Sequence, residues 1–292
     1  MPGATAMLFR AASLLFLVRL AQAHVFAWHE SMWCKNGPSE SVNQNANSMV
    51  KPLYQLSMAD WWFHHLDGCD QFPPAAGDFL NLPAGGSFTV EMATNRAFTT
   101  LSYNGTEATE WPDGGNYASL GDGVNCITQP LLHAKNESDA AGSAFAISYV
   151  SELAEVTPEN LVVFSVRYNT PFRRVASFDV PADMPACPDA GCICAWGWVP
   201  NNCGEPNMYM GGYRCRVTNA KSTKPLAVPK APTWCEGNPG ACTQGAKQMV
   251  FWHQSQGNNV ELTGTQADGQ AKSPGYNMKM GFEDGAQANI FQ

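Results

Sequence analysis

His24 follows the triplet Ala21-Gln22-Ala23, and that adjacency decides what chemistry it can do. Small residues at alternate positions form the cleavage pattern of a secretory signal. Arg10 gives the preceding segment a positive start, and Leu14-Leu15-Phe16-Leu17-Val18 gives it a short apolar run. That run falls well short of the roughly 20 apolar residues that span a bilayer. The expectation is a signal peptide over residues 1–23, cleaved after Ala23. His24 then carries a free amine beside its own imidazole. An amine with a reference pKa of roughly 7.7–8.0 can yield its proton to a metal near neutral pH. Amine and ring nitrogen together form a chelate, and copper(II) favours nitrogen donors in a tetragonal plane.

A second imidazole would complete a three-nitrogen site. The remaining histidines are His29, His64, His65, His133 and His253. If "HVFAWHE" is a strand, odd spacing puts His24 and His29 on opposite faces, which removes His29. His64 and His65 are adjacent and cannot easily serve one ion together, though either alone remains open. His133 sits in "LLHAKNESDAAGSAFAISY", on a loop feeding a strand, where a ligand can project from the end of a sheet. His253, in "FWHQ", is ambiguous, and spacing alone does not choose. For an axial position, Tyr209 and Asn207 in "GEPNMYMGGYRC" are two apart and share a strand face; an isolated tyrosine could equally be a core residue.

The elements that must position these groups are mostly strands. "SFTVEM", "AFTTLSY", "SAFAISYV", "LVVFSVRY" and "VASFDV" alternate with period two, and Gly85-Gly86, Asp113-Gly114-Gly115 and "PADMPACPDAG" punctuate them. Many short strands with turn residues between them predict a mostly β fold, a β-sandwich. "SMADWWFHHL" reads as a short helix with Ser57 as N-cap, placing Trp61, His64 and His65 on one side. Residues 24–292 form one domain with a polar C-terminal segment, and the stretch from Gln254 to Pro274 is its most tail-like part. "GNNVELTGT" within it could be a strand and turn.

All ten cysteines follow Ala23, and an even count in an exported chain predicts a disulfide-stapled fold. Sequons at Asn104 and Asn136 fit the same secreted, extracellular setting. The net charge of -8, with no basic cluster, argues against nucleic acid as a partner. No later stretch is apolar enough to span a membrane, and few charged residues favour a neutral polymer as partner.

"HVFAWHESMW", "WWFHHL", "LLHAKNESDAAGSAFAISY" and "CICAWGWVPNNCGEPNMYMGGYRC", in that order, resemble the fungal lytic polysaccharide monooxygenases of auxiliary-activity family fourteen. The resemblance runs from His24 to about Cys215 and is weaker beyond. It implies an immunoglobulin-like antiparallel β-sandwich. It makes His24 and His133 the copper-binding histidine brace and Tyr209 the axial ligand. Asn207 stands where related enzymes often carry a glutamine. The resemblance also implies one copper ion per chain, an external electron donor, oxygen or hydrogen peroxide as co-substrate, and xylan on cellulose as substrate for a monomeric enzyme. A glycan on Asn136, three residues past His133, would crowd the substrate face. Trp28, near the mature start, could stack on sugar rings or pack in the core.

Rival readings differ in class. A glycosidase needs two carboxylates at a set separation, and no spacing picks out a pair here. A copper-binding protein without oxygenase activity would share the brace. A carbohydrate-binding module would need no metal at all.

Overall fold

The computed structural model describes residues 24–117, 133–201 and 206–292. The expected signal peptide and two of the cysteines, Cys126 and Cys203, lie outside the described residues. The strands are β1 (Phe26–Trp28), β2 (Leu80–Pro83), β3 (Ser87–Ala93), β4 (Ser143–Ser148), β5 (Val162–Arg167), β6 (Val175–Asp179), β7 (Cys192–Trp198), β8 (Tyr209–Thr218) and β9 (Gly285–Ala286). One sheet has the order β1-β3-β6 and the other β2-β8-β7-β4-β5-β9. Every pairing is antiparallel except β2 with β8, which is parallel. The two sheets make the expected sandwich.

Aromatic rings fill the space between the sheets. Phe145 of β4 meets Phe88 of β3 edge-on at 4.9 Å and Phe178 of β6 at 4.8 Å. Phe26 of β1 meets Trp196 of β7 at 5.1 Å. That approach requires Gly211, where an added Cβ would lie 2.3 Å from the Phe26 ring. Phe145→Ala should therefore cost about 3–5 kcal/mol, because the Phe88, Phe178 and Tyr213 rings around it cannot close the void. Chemical denaturation reads this directly.

The six-stranded sheet is buried on both faces, so alternation fails in its centre. Along β5, Val162 and Phe164 face the inner core while Val163 and Val166 face a second cluster. Every residue of β7 is buried. The C-terminal segment supplies the outer cover through Phe251, Trp252, Tyr276 and Phe282. The stretch from Gln254 to Pro274 is not a tail. Gln254 Nε2 donates to the carbonyls of Leu53 and Trp252, at 2.7 and 3.2 Å. Val260 and Ser273 are buried. "GNNVELTGT" forms no strand, only an isolated bridge from Thr265 to Ala271.

Two further local expectations are corrected. "AFTTLSY" is no strand: tight turns span Arg96–Phe98 and Tyr103–Gly105. Asn95 Oδ1 accepts from the Ala97 amide at 2.8 Å, and Arg96 binds the Asn43 and Leu101 carbonyls. Such side-chain bonds compete with a strand ladder for the same backbone groups. The helix α1 covers only Met58–Trp61, with the expected cap of Ser57 Oγ on the Asp60 amide. Phe63 and His64 then turn left-handed, at φ 48° and 58°. Phe63 thereby packs where a Cβ on Gly212 would clash. The break puts His64 inside and His65 outside, so the two do not share a face with Trp61.

Asp67 holds this turn through Lys51 and His64. Its hydrogen bond with His64, followed by that with Lys51, lowers its pKa against the opposing effect of burial. A lowered carboxylate pKa stabilises the fold above the unfolded value, near 3.8, and the gain is lost as pH falls through the folded value. Asp67→Asn should lower the melting temperature at pH 7, with the difference from wild type vanishing as the pH drops below that range.

Four disulfides occur among the described residues: Cys34–Cys69, Cys187–Cys192, Cys194–Cys215 and Cys235–Cys242. Among those residues, no helix is long and apolar enough to cross a membrane.

Candidate functional site

β7 ends at Trp198, which pairs with Tyr209 at the start of β8 and with Ser143 at the start of β4. This end of the sandwich gathers the chemistry. His24 lies two residues before β1 and is half-buried. Its Nδ1 lies 2.6 Å from the Tyr209 hydroxyl. His133 is buried, and its ring centroid is 6.0 Å from that of His24, with the planes 32° apart. Trp198 anchors two of these groups. It stacks on Tyr209 at 4.6 Å and meets His133 edge-on at 5.5 Å.

His133 has φ 49°, a left-handed conformation that non-glycine residues rarely adopt. Such strain persists only where the surroundings over-determine it, and it concentrates at functional sites. Tyr209 is fully buried, which pushes its phenol well above the ordinary value. A phenol held protonated can donate to an unprotonated His24 Nδ1. Asn207 is buried beside Tyr209, and its Oδ1 has no hydrogen-bond partner among the described residues. The indole nitrogen of Trp198 is in the same position. Buried polar atoms without partners are uncommon enough to mark a place built for more than packing.

The other histidines stand apart from this cluster. His29 Nδ1 is engaged locally by the Ser31 hydroxyl at 2.7 Å and the Ser31 amide at 3.1 Å. His64 and His65 pair with Asp67 and Asp70, at 3.4 and 2.8 Å. His253 stacks on Tyr54 at 5.4 Å. Leu53 and Met208 exchange backbone hydrogen bonds, so the exposed Tyr54 lies near Asn207 and Tyr209 in the chain's folded path. Trp198 was not marked by spacing, because it reaches the cluster through the pairing of β7 with β8. Trp28 is 1% exposed and its Nε1 donates to the Ala93 carbonyl, so it is a core residue and offers no face to a sugar.

Both sequons are exposed. Asn104 lies in a tight turn at φ 52°. Asn136 caps the turn Glu137–Asp139 through its Oδ1, and Ser138 Oγ donates to that same oxygen at 2.6 Å.

Among the described residues, no group of three or more His, Cys, Asp or Glu side chains could hold a metal. Two converging imidazoles, the phenol of Tyr209, the main-chain nitrogen of His24 and the amide of Asn207 are the polar groups that this end of the sandwich could offer a metal.

The comparisons with known proteins address the same chain. The family described as "Lytic polysaccharide monooxygenase AA14" matches residues 5–292. AA14 family lytic polysaccharide monooxygenase B of Trametes coccinea is 37% identical over 295 residues, covering 97% of this chain and 66% of that protein. The same-named proteins of Pycnoporus cinnabarinus and Talaromyces rugulosus are 37% and 34% identical. The chain spans 74% of the first and 96% of the second. A match over nearly the whole length, with identity above 30% to several relatives, leaves one conclusion: the chain belongs to the lytic polysaccharide monooxygenase family AA14, a family of copper-dependent oxidoreductases.

Proposed function

We propose that the mature protein begins at His24, is secreted, and binds one copper ion to oxidise glycosidic linkages in plant cell-wall polysaccharide, specifically xylan associated with cellulose. The observation that carries this reading is the convergence of His24, His133 and Tyr209 at one end of the sandwich. The donor set fits copper(II): two imidazoles and a terminal amine are nitrogen donors, and a phenol oxygen lies beside one of them. A soluble monomer, an external electron donor, and oxygen or hydrogen peroxide complete the proposal.

When bound, copper supplies the one-electron chemistry that, with reductant and oxygen or peroxide, hydroxylates a carbon of the linkage before the bond breaks by elimination. The chain's own part is placement. His24 contributes its amine and Nδ1. His133 contributes a ring nitrogen, and its ring is set by Trp198. With the His24 Nδ1 lone pair taken by the metal, the buried Tyr209 beside it would offer its phenol oxygen to the same ion in place of that hydrogen bond. Asn207 offers an amide whose oxygen has no partner among the described residues and which can hold a small oxygen co-substrate by hydrogen bonding. Burial of Trp198, Tyr209 and His133 excludes water from the inner side. The exposed Tyr54 would contact the sugar chain near the site.

Product analysis on xylan-coated cellulose tests this function. Oxidised oligosaccharides should appear with reductant and not without it. Unmodified reducing ends alone would indicate a hydrolase. Tight copper binding with no oxidised products would indicate a copper-binding protein.

A further inference from the structure

Beside the middle of β8 lies a groove of about 1030 Å3. Arg214 lines it. That residue is five positions along the strand from Tyr209, roughly 17 Å at about 3.3 Å per residue. The groove is therefore separate from the site described above.

Its ring surface comes from Trp62, Trp33 and Phe79. Trp62 is half-buried and held rigidly, meeting Trp61, Phe63 and Phe251 edge-on at 5.4, 5.1 and 5.5 Å. The left-handed pair Phe63 and His64 makes this arrangement. It buries both of those side chains, Phe63 forming part of the groove floor, and leaves Trp62 and the exposed His65 on the groove. Two consecutive non-glycine residues in that conformation need strong support from their surroundings.

The polar groups of the groove are mutually balanced. His65 Nδ1 lies 2.8 Å from Asp70 Oδ2. The other carboxylate oxygen, Asp70 Oδ1, is buried with no partner among the described residues. The Asp70 side chain is 26% exposed, so it is Oδ2, beside His65, that the groove leaves open to a second donor. Arg214 donates to the carbonyls of Pro74 and Ala75, at 3.3 and 3.0 Å, and its guanidinium lies 5.9 Å from both the Trp33 and Phe79 rings. Two basic side chains, Arg214 and His65, and two acidic ones, Asp70 and Glu152, line the groove. A groove with ring faces, one accessible carboxylate oxygen and basic and acidic side chains in equal number suits a neutral, hydroxyl-rich ligand. It suits a polyanion or a strongly charged peptide poorly.

We propose that this groove is a second, non-catalytic glycan site that takes a neutral oligosaccharide chain through stacking on Trp62 and hydroxyl donation to Asp70. It would hold the polysaccharide at a distance from the oxidising end. The choice of a sugar as ligand rests on the polysaccharide reading above; the geometry of the groove does not.

The test is titration of the copper-loaded mature protein with xylohexaose and, separately, with cellohexaose, followed by calorimetry and by tryptophan fluorescence. Saturable binding of at least one sugar is expected. Trp62→Ala should weaken it about tenfold or more, and His65→Ala, at an exposed position that leaves the core intact, about threefold. Copper affinity should be unchanged in both variants. Absence of binding by either sugar at millimolar concentration would overturn the proposal, as would binding that ignores both substitutions. The two readings fail separately. Sugar binding that depends on Trp62 in a protein that yields no oxidised products would sink the function and keep the groove. Oxidised products from a protein whose sugar binding ignores Trp62 and His65 would do the reverse.

Discussion

A single N-acetylated alanine ahead of His24, which leaves no free amine to anchor the metal, is expected to lower copper(II) affinity by about a thousandfold or more, equivalent to about 4 kcal/mol. The extension converts the His24 amine into an amide, which does not give up its proton near neutral pH. One donor is lost, and with it the chelate ring that lets the amine and Nδ1 bind as a unit. The fold should not respond. His24 precedes β1, and the packing of Phe26 on Trp196 and Gly211 does not involve its main-chain nitrogen. The measurement is a copper titration of two preparations, one beginning at His24 and one carrying the extra residue, with thermal unfolding of each copper-free form alongside. Equal affinities would mean that the terminal amine is not a ligand.

His133→Ala is expected to abolish reductant-dependent oxidised products, a loss of at least about a thousandfold in rate, and to lower copper affinity at least about a hundredfold. The substitution removes one imidazole from a site that has two. It also removes the edge contact with Trp198. The copper-free protein should stay folded at a cost of about 2–4 kcal/mol, because the lost ring is buried and packs on Trp198 at one end of the sandwich only. A variant that still makes wild-type amounts of oxidised sugar would assign the second ligand elsewhere. A variant that unfolds would show His133 to be chiefly a packing residue.

Parts of this architecture were legible because the signals are local. "SFTVEM" and "VASFDV" alternate because β3 and β6 each show one face to the core, and the structure keeps that period. Ser57 capped its helix as its side chain predicts. The failures share a cause, which is contact with residues far away in the chain. "LVVFSVRY" alternates in sequence but is buried on both sides, because the C-terminal segment covers the outer face of its sheet. The helix at Met58 stops early because Phe63 turns to meet Gly212. "AFTTLSY" has strand-like residue types, yet Asn95 and Arg96 bind its backbone first.

The same division holds at the candidate site. His24 could be read as a chelator from its neighbours Ala21 to Ala23 alone. Its partner could not, since His133, Trp198 and Tyr209 meet only when β7 and β8 pair. Spacing left His133 level with His64 and His65, and the resemblance of ordered motifs separated them. The structure brings His133 to His24 and pairs the other two with Asp67 and Asp70. His29 was set aside on strand parity. The strand ends at Trp28, however, and the Ser31 hydroxyl and amide are what occupy the ring.

The central claim is that one copper ion is held by the His24 amine, the His24 ring and the His133 ring. Electron paramagnetic resonance of the mature protein with one equivalent of copper(II) tests it most directly. The account predicts a single tetragonal species with three nitrogen donors, reduced to fewer by His133→Ala and by the extra residue ahead of His24. A spectrum with oxygen-dominated ligation, or one that neither change alters, would contradict it.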